Sequence, residues 1–137
     1  MEANDPVSSS ASARQISWNW QFLGDMQGKM LNFLENHDEQ RLASDFFAGD
    51  ARRGRAPLLV IALMDYCPMM IYFGQELGER GMDAEGYSGR DGRTTIYDYW
   101  TVDTVSRWRN GGKFNDKKLT GDEKRLREFY ARVLALR

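Results

Sequence analysis

MLNFLENHDEQR, Met30–Arg41, is the stretch on which the fold turns. Its first five residues are apolar apart from Asn32; the chain then breaks at Glu35 into Asn36, His37 and Asp38, with the only histidine between an amide and a carboxylate. A short apolar run with a polar stop predicts a β-strand covered on both faces. MMIYF, Met69–Phe73, has the same character and stops at Gly74, Gln75 and Glu76. Between the two lies APLLVIALMDY, Ala56–Tyr66, whose continuous apolar run and early Pro57 predict a thoroughly buried helix that starts at the proline. Strand, helix and strand make a βαβ unit. Parallel strands would bring NHDEQR and GQE together at their C-terminal ends.

Working outward, the 137 residues are enough for one domain, and 42% hydrophobic content is enough for a core. Nineteen basic and twenty acidic residues leave a net charge of -1, and Arg52, Arg53 and Arg55 are too few to make a basic stripe, which argues against nucleic-acid binding. Cys67 has no second cysteine to pair with and reads as a small packed hydrophobe beside Pro68. The opening MEANDPVSSS lacks the charge and apolar run of a signal peptide. Leu58–Met64, the longest apolar run, is too short to span a bilayer. The reading is therefore of no membrane partner, and the compartment stays open.

Upstream, SSSASA, Ser8–Ala13, reads as a flexible lead-in or a loop; Ile16, Trp20 and Leu23 favour a helix over Ile16–Met26, with a strand competing because Trp18 and Trp20 alternate. Downstream, a long segment carries Gly78, Gly81, Gly86, Gly89 and Gly92 together with Tyr87, Tyr97, Tyr99 and Trp100, in the manner of a functional loop leaving a strand. The final helix announces itself by a Thr120–Glu123 capping box, an apolar face of Leu126, Phe129, Tyr130, Val133 and Leu134, and Arg132 and Arg137 near its C-terminus. Two parallel strands with a helix after each leave edges and a face uncovered. Partners would complete such a sheet, or the unit would belong to a larger barrel.

Asn36, His37 and Asp38 can together accept and donate hydrogen bonds to neighbouring hydroxyls; equally, Asn36 and Asp38 can cap a following helix with His37 a bystander. Arg41 can clamp a substrate or hold Asp38 in an ion pair. Glu76, just past a glycine, can support such a site from behind or be a solvated loop acid. One histidine without a second His or Cys at ligand spacing argues against zinc. Tyr97, Tyr99 and Trp100 can stack on sugar rings or pack a core.

FLENHDEQR, Phe33–Arg41, resembles the strand-seven motif of the alpha-amylase family, glycoside hydrolase family 13, and PMMIYFGQELG, Pro68–Gly78, resembles its strand eight. DGRTTIYDYW and LTGDEKRLREFYARVLALR are similar to the following loop and eighth helix, so the likeness covers Met30–Arg137. It implies an α/β fold, the C-terminal portion of a TIM (β/α)8 barrel that is incomplete in this chain. Residues 1–27 would be a lead-in and the helix of the preceding unit, and residues 28–137 the last two βα units with a long active-site loop. The implied activity is that of a retaining glycosidase or glucanotransferase acting on an α-glucan or maltooligosaccharide. In that family the nucleophile and the acid/base come from upstream motifs, and no Gly-Phe-Arg-x-Asp pattern occurs here. Asp38 matches the third acid, which binds sugar hydroxyls and stabilises the oxocarbenium-like transition state. His37, Asn36 and Arg41 are then the substrate-binding candidates, and Glu76 supports them. No cofactor is expected from these residues, calcium being left open for a full-length parent. Thr94 and Thr95 replace the Arg-Pro of many relatives. The chain alone is expected to be inactive, and to pair with missing barrel segments or with itself. The alternative is a non-catalytic carbohydrate-binding or protein-interaction module.

Overall fold

A computed structural model describes residues 12–64, 66–83, 90–94, 96 and 101–137. Tyr87, Tyr97, Tyr99, Trp100, Gly86, Gly89 and Thr95, and the first part of SSSASA, lie outside the described residues. The described chain is helical. Four α-helices, α1 (Arg14–Leu23), α2 (Arg55–Leu63), α3 (Asp103–Arg109) and α4 (Gly121–Leu136), are joined by loops and short 3-10 turns.

The core is α2 against α4. Leu58 and Ala62, four residues apart on α2, are fully buried against Leu126, Tyr130 and Val133, which recur at helical spacing on α4. Helix α4 begins where the capping box demands. Thr120 Oγ1 accepts from the Glu123 N–H at 3.3 Å, and Glu123 Oε2 accepts from the Thr120 N–H at 2.7 Å. Arg107 of α3 also donates to Glu123 Oε1, from Nη2 at 2.5 Å, so one carboxylate ties two helices together. At the far end of α4, Arg137 Nη1 donates to the Ala62 carbonyl at 2.9 Å and so occupies an acceptor that the end of α2 leaves unpaired. Helix α2 buries only this one stripe; Leu59 and Leu63 are exposed, so the expectation of a helix covered all round is not met. Its boundary also falls earlier, with Pro57 third in the helix instead of first.

The α/β barrel portion inferred from the sequence is not what forms. Among the described residues there is no β-strand and no sheet. Met30–Leu34 and Met69–Phe73 meet in one isolated parallel bridge, Asn32 with Met69, made by Asn32 N–H to the Pro68 carbonyl and Met70 N–H to the Asn32 carbonyl, both at 2.9 Å. The reason lies in where the remaining backbone groups go. The Tyr72 N–H is taken by Gln75 Oε1 at 3.2 Å, the Tyr72 carbonyl accepts from the Gln75 N–H at 2.9 Å, and the Phe73 carbonyl accepts from Arg41 Nη2 at 2.8 Å. Side chains and a turn thus consume groups that a ladder would need. Gly74 then adopts a left-handed conformation, φ 78°, and ends the extended path. The bridge does keep the alternation of a strand. Leu34, Met69 and Ile71 face the α2–α4 core, and Leu31 and Phe33 face outward, exposed.

Candidate functional site

The polar break after Leu34 is a closed turn, and its amide shapes it. Asn36 Oδ1 accepts from the N–H of Asp38 at 3.0 Å and of Glu39 at 2.8 Å. No helix follows, so the capping expected of Asn36 is found without the helix it was expected to serve. The turn leaves the Asp38 side chain 66% exposed, with His37 Nε2 3.5 Å from Asp38 Oδ1. His37 and Asp38 therefore stand next to each other, both open to solvent.

Below the turn lies a buried ion pair. Glu35 and Arg41 are both essentially inaccessible, with Arg41 Nε 3.1 Å from Glu35 Oε2, close but off the line of a hydrogen bond. Glu35 Oε1 accepts from the Leu42 N–H at 2.7 Å, and the Arg41 N–H itself reaches the Gly92 carbonyl at 2.6 Å. The Arg41 guanidinium lies over the rings of Tyr72 and Phe73. Burial pushes the Glu35 carboxyl above the usual carboxylate range, against the pull of Arg41 and the Leu42 N–H; Glu79 and Glu76 add to the upward push. Arg41 is fully buried in this structure, away from solvent. Its ion-pair partner is Glu35, where the sequence had offered Asp38.

Glu76 sits half-buried in the 3-10 turn Gln75–Leu77, near enough to Glu35 to be felt electrostatically. The two polar stops of the sequence, NHDEQR and GQE, do converge, and Arg41 is the link. Glu79 was not singled out from the sequence. It is buried, accepts from Thr104 Oγ1 and from the N–H groups of Gly81 at 2.9 Å and Arg80 at 2.8 Å, and these bonds outweigh its burial to hold its carboxyl below the usual range. A carboxylate placed just after Gly78 and before Gly81, where loop N–H groups point inward, was the available signal.

Asp38 opens onto a pocket of about 550 Å³ lined by Leu34, Asp38, Glu39, Gln40, Phe47 and Arg93. Arg93 Nη2 donates to Asp91 Oδ2 at 2.7 Å, and Gln40 Nε2 reaches the Asp91 carbonyl at 3.4 Å, so the pocket wall is itself hydrogen-bonded. Phe47, 39% exposed, gives that wall an aromatic face. Neither Phe47 nor Arg93 was marked in the sequence, being distant in it from the Asn-His-Asp turn. A larger cavity of about 750 Å³ lies between loop residues and helices α3 and α4; its Arg52, Arg107 and Arg125 are paired with Asp50, Glu123 and Asp122, and Arg55, Arg80 and Arg90 line it as well. Among the described residues no three His, Cys, Asp or Glu side chains are grouped to hold a metal ion. Cys67 is buried, with Asn32 Nδ2 3.3 Å from its sulfur. No known protein family, curated protein or solved structure matches this chain.

Proposed function

We propose that this chain carries the sugar-orienting, cation-stabilising acid of an α-glucan-active site, and that Asp38 is that acid. The observation that carries the reading is the Asn36-capped turn, which holds an exposed Asp38 beside His37 at the mouth of a pocket with one aromatic wall. A pyranose offers adjacent hydroxyls and an apolar ring face. The carboxylate accepts from two hydroxyls, the imidazole N–H donates to a third oxygen, and Phe47 is placed to receive the ring face. A fixed negative charge in that position also favours an oxocarbenium-like transition state. The likeness of FLENHDEQR to the alpha-amylase family supports α-glucan as the substrate class. Retaining hydrolysis needs two carboxylates roughly 5 Å apart acting as nucleophile and acid/base, and Asp38 cannot be both. In this reading they lie outside residues 1–137, and the chain alone binds without turnover.

Titration with maltoheptaose, followed by NMR of the single His37 imidazole, tests the reading. Saturable shifts are expected with maltoheptaose, weaker ones with a β-linked oligomer, and a marked loss of affinity in Asp38→Asn. An imidazole that does not move at millimolar maltoheptaose, or an Asp38→Asn variant that binds as the parent does, would sink it.

A further inference from the structure

The cavity of about 750 Å³ bordered by α3 and α4 shares no lining residue with the Asp38 pocket. Most charges in its wall are already committed. Arg52, Arg107 and Arg125 pair with Asp50, Glu123 and Asp122, and Arg80 pairs with Asp45. Glu79 accepts from Thr104 and from the Arg80 and Gly81 N–H groups. Asp83 and Asp103 stand exposed. Arg55, the first residue of α2, is different. It is half-buried, its Nε is shut off from water without a hydrogen-bond partner, and no carboxylate among the described residues pairs with it. Its guanidinium lies over the Phe129 ring, Cζ 5.1 Å from the centroid. Buried donors are ordinarily satisfied and buried charges paired, so a cation left in this state marks a place for an anion. Arg90 also lines the cavity without a carboxylate partner among the described residues; its Nε donates to the Met82 carbonyl at 2.5 Å.

We infer that this cavity binds a small organic phosphate monoester, its phosphate on Arg55 and Arg90 and its organic group against Leu77, Met82 and Leu126. The charge selects the phosphate. A guanidinium presents a planar fork that matches phosphate or carboxylate oxygens, and two uncommitted guanidiniums balance a dianion, where a carboxylate would balance one of them. The wall selects the ester. Leu77 and Leu126 are buried apolar residues, and a bare ion would leave them uncovered. The volume agrees, being in the range of small-molecule sites and far larger than an inorganic ion fills. This site is independent of the glucan reading, since Asp38, His37 and Phe47 take no part in it.

Isothermal titration calorimetry of the full chain at constant ionic strength tests this, with phenyl phosphate, inorganic phosphate and benzoate as probes. Phenyl phosphate should saturate one site and bind more tightly than either of the others, because only it offers both the dianion and an apolar body. Arg55→Met keeps an apolar stem over Phe129 and removes the guanidinium; it should weaken phenyl phosphate by about tenfold or more, the range of a charged hydrogen bond. Arg90→Met changes an exposed side chain that the fold does not need, and should weaken it as well. Arg53→Met is the control. It removes the same charge close by in the chain but outside the cavity wall, and should leave the affinity unchanged. Circular dichroism that matches the parent separates loss of binding from loss of fold, and Arg90→Met carries the test should Arg55→Met not fold. Phenyl phosphate that fails to saturate by about 10 mM overturns the inference. So does inorganic phosphate or benzoate binding as tightly as phenyl phosphate, Arg53→Met losing as much as Arg55→Met, or folded Arg55 and Arg90 variants that bind as the parent does.

Discussion

Arg41, with no accessible surface, donates from Nη2 to the carbonyl of Phe73 at 2.8 Å and so joins the two segments that flank the candidate site. The same guanidinium balances Glu35, and the pair is closed off from water. Breaking one side of a buried ion pair leaves the other charge stranded, at a cost of about 3 kcal/mol or more. Arg41→Ala should therefore lower unfolding stability by that order in a urea titration. Arg41→Lys should recover little of it, because an ammonium cannot address Glu35 and Phe73 with a planar fork. A loss below about 0.5 kcal/mol, the range of an ordinary surface change, would show that the pair does not hold the loop.

What the sequence made legible was local. Thr120, Glu123 and the Leu126–Tyr130–Val133 stripe are set by interactions within three or four residues and stand as read; Phe129 packs partly against the core, and Leu134, read into the same face, is 40% exposed. Helix α1, for which helix and strand competed over Ile16–Met26, forms as Arg14–Leu23 and passes into the 3-10 turn Gly24–Lys29. The strands failed because a strand is a property of its neighbours. MLNFL and MMIYF have the composition, yet their backbone groups beyond Asn32 and Met70 find Gln75 and Arg41 instead of a ladder. At the site, Asn36, His37 and Asp38 were visible as a polar stop. Glu35, which looked like the first residue of that stop, is the buried anchor beneath it, with its carboxylate 3.1 Å from Arg41 Nε.

Phe47 offers the Asp38 pocket its aromatic wall, and the proposed glucan reading makes it the stacking surface. Phe47→Ala should weaken maltoheptaose binding by about tenfold, the loss of one ring contact worth roughly 1 kcal/mol or a little more. Phe47→Tyr should keep most of the affinity. Phe47 is 39% exposed and stands outside the α2–α4 core cluster, so the unfolding midpoint should fall less than for a core substitution. Equal affinity in the alanine variant and the parent would remove Phe47 from the site while leaving the Asp38 reading to its own test.

Gly92 is where backbone and side chain meet most tightly near the site. Its φ is +82°, its carbonyl receives the Arg41 N–H and its own N–H donates to the Gly81 carbonyl at 2.9 Å. A Cβ there would run into the Ser44 hydroxyl and come within 3.2 Å of the Phe46 ring. Ser44 is fully buried and cannot swing away. Gly92→Ala combines a left-handed backbone penalty with a packing clash, and should cost about 2 kcal/mol or more. Gly111→Ala is the control, with φ +65° but no atom within 4 Å of the added carbon, and should cost only the backbone penalty of about 1 kcal/mol. Equal effects of the two in chemical denaturation would mean that the Gly92–Ser44 contact is not rigid.

Acid should destabilise the fold, and Glu123 and Glu79 set the direction. Burial raises the Glu123 carboxyl, but the bonds from Arg107 and Thr120 outweigh it and hold the group below its ordinary value of 4.5. Glu79 is likewise held low, by Thr104 and the Gly81 and Arg80 N–H groups against its burial. A carboxyl depressed in the folded state binds fewer protons there than in the unfolded chain. Its contribution is complete above the unfolded value and is lost as pH falls through the folded one. Glu35 has the opposite sign. Raised by burial, it takes up its proton first in the folded state, so between its folded value and 4.5 acidification relieves part of its cost. Three depressed carboxyls, Glu123, Glu79 and the half-exposed Asp50 that Arg52 holds at about 2, against one raised one leave stability falling below about pH 4.5, and Glu123→Gln should flatten its part of the fall. Urea midpoints of parent and variant at about pH 6 and pH 3.5 measure it directly. The variant should begin lower at pH 6, since Gln cannot pair with the Arg107 charge across α3 and α4, and should lose less on acidification. A parent and variant whose midpoints fall in parallel would show that the capping box and the Arg107 bond hold Glu123 no more tightly than solvent does.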